Sequence, residues 1–227
     1  MDVSITTAEI MERLPDPTDW RRDPLVRHLS STSGDLPPLG FLVNEALSSE
    51  KGSCRAAGLF TLRIRYAADG MATYVTALRD RSGEVSLLAA TAIAQLGDSN
   101  QEKEFFDWAR RRISRKSRLN NWDTHELVAL VQYSHRINAF GQLARLLRQY
   151  HRNLAPEEHA VLNRHAPTLL DPDLDLDPVS ISDADIGVDA IVDWAHTATG
   201  TLFGDRDLGP DEVALVEKDI RELLQLR

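Results

Sequence analysis

The sequence has little of what secreted, membrane-spanning or disulfide-framed proteins need. It holds a single cysteine, Cys54, which excludes an internal disulfide bond and is typical of a protein kept in a reducing compartment. It has no run of about 18 apolar residues, the length that a membrane-spanning helix requires. Its first residues lack the basic flank and apolar stretch of a signal peptide. We therefore expect a cytoplasmic protein that makes no contact with membranes.

The motifs of common enzyme classes are missing as well. There is no glycine-rich nucleotide loop and no Gly-x-Ser-x-Gly elbow. The histidines do not have the spacing of a zinc motif. An EF-hand loop beginning at Asp171 would place Leu176 and Ser182 where glycine and glutamate are required. We expect no enzymatic activity, no cofactor and no metal site, although loose cation binding by the aspartates of 171–177 stays an alternative.

What the chain does have is apolar residues at helical spacing along most of its 227 positions. The stretch 61–66 alternates like a strand, but the residues before it favour a helix. The sequence therefore predicts an all-α protein with helices at 6–14, 39–47, 53–67, 71–79, 84–96, 102–116, 123–137, 139–151, 156–164, 188–197 and 210–226.

An acidic, proline-containing stretch interrupts this pattern. Residues 171–178 alternate aspartate with leucine or proline, and prolines together with repeated like charges favour an extended linker. This predicts a helical-repeat domain over 1–170, an Asp/Pro linker over 171–186 and a C-terminal helical pair over 187–227.

An internal repeat is visible in the helices before the linker. Ala56-Ala57 opens one helix–turn–helix unit and Ala89-Ala90 opens the next, which favours helices stacked in pairs. The stretch 78–98 has an aspartate in the turn, a valine at the helix start, closely spaced alanines and a Leu-Gly-Asp end. These places hold Asp80, Val85, Ala89, Ala90, Ala92, Leu96, Gly97 and Asp98.

This stretch resembles a HEAT-type repeat. The clear match covers about one repeat, and a weaker match extends over about 50–165. The resemblance implies a short α-solenoid of stacked helix pairs with a C-terminal helical extension, and a binding or scaffolding role rather than a reaction. One departure is Ser86, where the family usually has an arginine that joins neighbouring repeats, so that ladder of contacts is not expected here.

Charge is distributed unevenly along the chain. The net charge is −9, yet residues 110–170 carry 11 basic and 4 acidic side chains, a net of +7, and residues 171–227 carry 4 basic and 15 acidic side chains, a net of −11. Two groups of arginines in the basic middle fall on the second helices of neighbouring pairs, where a solenoid would set them side by side. These candidate partner-binding residues are Arg110, Arg111, Arg115, Arg145, Arg148 and Arg152.

The arginines suit an acidic partner, because guanidinium groups bind carboxylates and phosphates equally well. A solvated helix face is the alternative interpretation. The sequence predicts a non-enzymatic adaptor, regulatory or immunity-type subunit that binds another protein, within a larger assembly. The alternative is a subunit that binds nucleic acid by contacting phosphates through the arginines.

The linker interpretation is open to a direct test. We predict that limited proteolysis cuts within 171–178 before it cuts any helix, because an extended segment offers its backbone to a protease. Mass spectrometry of the first fragments locates the cut. A first cleavage elsewhere, with 171–178 intact, would contradict the linker.

Overall fold

The computed structural model describes residues 39–115, 124–171 and 188–203. Within these ranges every regular element is helical and no strand occurs, which confirms the predicted all-α class. The helices are α1 (Leu39–Ser48), α2 (Gly52–Tyr66), α3 (Met71–Ala77), α4 (Gly83–Leu96), α5 (Glu102–Arg115), α6 (His125–Arg136), α7 (Phe140–Gln149), α8 (Pro156–His165) and α9 (Asp189–Phe203).

The predicted helices agree with these bounds to within a few residues, and the stretch 61–66 is helical, in α2, as predicted. The bounds differ most at the ends of α7 and α9. Helix α7 ends at Gln149, so His151–Asn153 forms a separate 3-10 turn instead of the last turn of the helix. Helix α9 is longer than predicted and continues to Phe203. The helices predicted at 6–14 and 210–226, and nearly all of the predicted linker, lie outside the described residues.

The chain divides into two compact units. The described residues of the first unit are 39–89, and those of the second are 90–115, 124–171 and 188–203. The division falls within α4, between Ala89 and Ala90. The predicted division into 1–170, 171–186 and 187–227 stays a prediction.

In the first unit, α1 packs along α2 and also contacts α3. Leu42 and Ala46 of α1 and Leu59 and Leu62 of α2 are buried in the contact. Gly58 permits the close approach of the two helices, since a Cβ atom there would lie 2.9 Å from the backbone nitrogen of Ala46. Any larger residue would force the helices apart.

The polar centre of the first unit is Arg55, whose side chain is buried. Its Nε and Nη2 atoms donate to the two carboxylate oxygens of Asp80 at 2.7 and 2.9 Å, and Nη1 donates to the carbonyl oxygens of Ser49 and Glu50 at 2.8 and 2.9 Å. Burial alone would raise the pKa of Asp80, but hydrogen bonds from Arg55 and from the backbone N–H of Ser82 lower it. One guanidinium therefore joins the α1–α2 loop to the turn before α4.

In the second unit, α6 is the central helix, because residues 126–134 are all buried. Helix α9 packs against α6 and α8, with Ile191 and Ala195 buried. Aromatic rings of α5 complete the core, where the ring centroids of Phe105 and Tyr133 lie 4.1 Å apart. Aromatic contacts of this kind contribute about 1 kcal/mol beyond the area they bury.

The Leu-Gly-Asp motif at the end of α4 has a local physical explanation. A Cβ atom at Gly97 would lie 2.7 Å from the carbonyl oxygen of Ile93, so only glycine fits. The carbonyl oxygens of Gly97 and Asp98 accept hydrogen bonds from Arg136 at 2.5 Å and from the Tyr133 hydroxyl at 2.6 Å. The end of α4 is thus held by α6.

The Arg55–Asp80 pair predicts a measurable loss of stability. Asp80→Asn should lower the free energy of unfolding by about 3 kcal/mol, because it leaves a buried guanidinium without its anion. A carboxyl whose pKa is lowered by folding stabilises the fold above its unfolded pKa, and this contribution is lost as the pH falls through the folded pKa. The wild type should therefore lose more stability than the variant between about pH 6 and about pH 3.

Urea unfolding at both pH values measures this difference. Asp107→Asn is the matched control, because it removes a carboxylate from an exposed ion pair, whose contribution is about 0.5 kcal/mol. Equal stability of Asp80→Asn and the wild type near neutral pH would contradict the role given to the pair.

Candidate partner-binding surface

The candidate surface is formed by α5 and α7, both in the second unit. Gln142, near the start of α7, donates from Nε2 to Glu102 Oε1 at the start of α5. Asn153, just after the end of α7, donates from Nδ2 to the carbonyl oxygens of Ile113 and Ser114 near the end of α5, at 3.1 and 3.3 Å. The start of α7 contacts the start of α5, and the turn after α7 contacts the end of α5. The two helices therefore run parallel.

These contacts also fix the register of the two helices. Glu102 and Gln142 are 40 residues apart, as are Ile113 and Asn153. The similar offset at both ends indicates that α7 is not shifted far along α5.

The predicted arginines of α5 have different environments. Arg110 is exposed and its Nη1 lies 2.6 Å from the Asp107 carboxylate, in a pair whose side chains are 51% and 42% exposed. Arg111 is partly exposed. Arg115 is the last residue of α5, and its side chain lies outside the described part of the structure.

The other three predicted arginines lie on α7 and on the turn after it. They do not form one continuous exposed stripe. Arg145 and Arg152 are exposed, the first on α7 and the second on the 3-10 turn after it. Arg148 instead folds inward, and its Nε donates to the carbonyl oxygen of Leu169 at 3.3 Å. Burial lowers the pKa of Arg148, although the charge of Asp171 acts in the opposite direction. The exposed charge of this stretch thus rests on Arg145 and Arg152.

Arg112, which lies between predicted site residues, has a structural role. Its Nε and Nη2 atoms donate to Glu126 Oε1 at 3.0 and 2.5 Å, and the Glu126 side chain is 4% exposed. Glu126, near the start of α6, thus lies against α5. This ion pair joins α5 to α6 beneath the surface.

The first half of α5 is acidic, with Glu102, Glu104 and Asp107 partly exposed. Beside it lies a shallow groove with a volume of about 410 Å³. Its lining combines both signs of charge with an aromatic floor and consists of Ser99, Asn100, Glu102, Lys103, Phe106, Asp107, Arg110 and Gln142. Acids at the helix start and bases at the helix end complement the helix dipole, and this accounts for part of the pattern.

Arginine side chains bind carboxylates and phosphates through paired hydrogen bonds, and Arg145 and Arg152 are exposed for such contacts. In 39–115, 124–171 and 188–203, no group of three or more histidine, cysteine, aspartate or glutamate residues is placed to hold a metal ion. None of the helices described combines the length and the apolar composition needed to cross a bilayer.

Comparison of the chain with family models, with curated proteins and with solved structures finds no match.

The bridge at the end of α5 predicts a specific loss of stability. Asn153→Ala should lower the free energy of unfolding by about 1–2 kcal/mol, because it removes the amide that caps two helix-end carbonyls. Chemical denaturation measures the change. Asn163→Ala, at an exposed position of α8, is the matched control and should leave stability nearly unchanged. If the two variants lose the same stability, the bridge does not hold α5 and α7 in register.

Proposed function

We propose that this chain is a non-enzymatic adaptor, regulatory or immunity-type subunit that binds another protein through the surface of α5 and α7. The observation that carries the proposal is the exposed positive charge of Arg145 and Arg152, on a stretch, 140–153, whose sequence contains no acidic residue. Exposed guanidinium groups on such a stretch attract an acidic partner.

The register of α5 and α7 supports the further proposal that the fold is a short HEAT-like solenoid. In a solenoid, equivalent helices of neighbouring repeats lie parallel at a constant offset and form a continuous face. The offset of 40 residues at both ends of α5 has this property. A rigid face of this kind would present Arg145 and Arg152 in fixed positions, and so reduce the entropy lost on binding.

A protein partner is favoured over nucleic acid by the carboxylates near the arginines. Glu102, Glu104 and Asp107 lie on α5 alongside α7, and Asp107 already pairs with Arg110. Carboxylates repel a phosphate backbone, whereas a mixed charged rim is usual at protein interfaces. A cytoplasmic setting, in which the buried thiol of Cys54 stays reduced, fits this proposal.

Charge reversal tests the proposal. We predict that the double variant Arg145→Glu/Arg152→Glu folds like the wild type, because exposed charges contribute little to stability. It should bind its partner about 100-fold more weakly, because each reversal places like charges together at the interface. Affinity capture from the native host with mass spectrometry identifies the partner, and titration calorimetry then measures the affinity.

The matched control is Lys51→Glu/Arg79→Glu, which changes the charge equally at exposed positions of the first unit. If both double variants retain every partner at wild-type strength, the arginines form only a solvated face. A parallel titration with duplex DNA and RNA at several salt concentrations tests the alternative. Loss of nucleic-acid binding alone in the arginine variant would favour that alternative.

A further inference from the structure

A ridge of charged and polar side chains runs along the exposed face of α5. It consists of Lys103, Asp107, Arg110 and Ser114, which follow one another at intervals of four, three and four residues and therefore share one face of the helix. Lys103 and Ser114 are exposed, and the side chains of Arg110 and Asp107 are 51% and 42% exposed. This face is open to solvent.

The intervals between the ridge residues are four, three and four, so they are the same from either end of the helix. A second copy of α5 that runs antiparallel, about a two-fold axis between Trp108 and Ala109, places each ridge residue opposite another. Asp107 then meets Arg110 of the second copy, and Lys103 meets Ser114. Self-complementarity of this kind is what a two-fold interface requires, because each contact occurs twice.

The charges of the ridge favour this pairing over an isolated helix. Within one chain Arg110 Nη1 and the Asp107 carboxylate are 2.6 Å apart, but an exposed pair of this type contributes only about 0.5 kcal/mol. Two copies would bring two carboxylates and two guanidinium groups together in alternation, so that each charge has two opposite neighbours. Such a network, shielded from water by the second copy, is stronger than isolated surface pairs.

The surroundings of the ridge fit a second copy as well. The groove of about 410 Å³ lies beside Lys103 and Asp107, in the first half of α5, so it faces the second half of an antiparallel α5. Arg111 of the second copy would lie level with Phe106, which lines this groove. The acidic start of each α5 would lie against the basic end of the other. The two helix dipoles would then be antiparallel, an arrangement in which they attract each other.

We propose that two copies of this chain associate through α5, antiparallel about a two-fold axis, with Asp107 of each copy against Arg110 of the other. The interface is small, since α5 is about 20 Å long, and the dimer is correspondingly weak and reversible. This inference goes beyond the proposed function. The two proposals share helix α5, but the pairing depends on Asp107 and Arg110, whereas partner capture is tested at Arg145 and Arg152 on the stretch 140–153.

Charge exchange between two variants tests the proposal. Asp107→Arg leaves two arginines on each ridge and Arg110→Asp leaves two aspartates, so each variant alone should dimerise at least about tenfold more weakly than the wild type. An equimolar mixture of the two should form a heterodimer, because the two aspartates of one chain then meet the two arginines of the other. The double variant Asp107→Arg/Arg110→Asp should restore the homodimer.

Sedimentation equilibrium over micromolar to submillimolar protein measures association against the 25.4 kDa of one chain. Circular dichroism confirms that each variant is folded, which is expected because Trp108 and Ala109, not the ridge, face the core. Arg79→Asp, an exposed position in the first unit, is the matched control and should dimerise like the wild type.

Three results would overturn the proposal. The first is a wild type that is monomeric at every concentration. The second is a dimer that neither single variant weakens. The third is a pair of weakened variants whose mixture does not associate. None of these results bears on partner capture by Arg145 and Arg152, so the two proposals fail separately.

Discussion

The second unit depends on the bridges that hold α5 at both ends. Gln142 contacts Glu102 at one end, and Asn153 caps the carbonyls of Ile113 and Ser114 at the other. Between them, the Arg112–Glu126 pair joins α5 to the buried helix α6. These contacts are spread over most of the length of α5 and oppose sliding or rotation of the helix relative to α6 and α7. These contacts keep α5 beside α7, an arrangement that the proposed partner-binding surface would need.

Helical periodicity was enough to predict the fold class and most helix bounds, because core-facing positions repeat along each helix. Phe105, Phe106, Ala109 and Ile113 recur at helical spacing in the sequence of α5, and all four are buried. The first unit contains an interaction that helical periodicity does not predict. Arg55 and Asp80 are 25 residues apart, and nothing local in the sequence marks them as partners. A buried ion pair arises from tertiary packing, which a one-dimensional pattern does not contain.

The candidate site shows the same limit at the scale of single side chains. Arg110, Arg111 and Arg112 are adjacent in sequence, yet Arg110 pairs with Asp107 at the surface and Arg112 pairs with a buried glutamate. Helical geometry predicts that neighbours point in different directions, but not which acid each will meet. Arg148 was predicted to be exposed and instead contacts the carbonyl of Leu169, because the 3-10 turn Pro167–Leu170 packs beside α7. Long flexible side chains follow their nearest acceptors, so their position depends on elements that are distant in sequence.

The buried guanidinium of Arg55 acts as a cross-link in a chain that has one thiol. By holding Asp80 it closes a loop of 25 residues, and by holding the carbonyls of Ser49 and Glu50 it ties that loop to the end of α1. A cystine bridge would close such a loop covalently and would open under reducing conditions. The Arg55–Asp80 ion pair closes the same loop without a covalent bond, so the closure does not depend on the redox state of the surroundings. The pair is lost when Asp80 is protonated, and the lowered pKa of Asp80 confines that loss to pH values below the usual range of a carboxyl group.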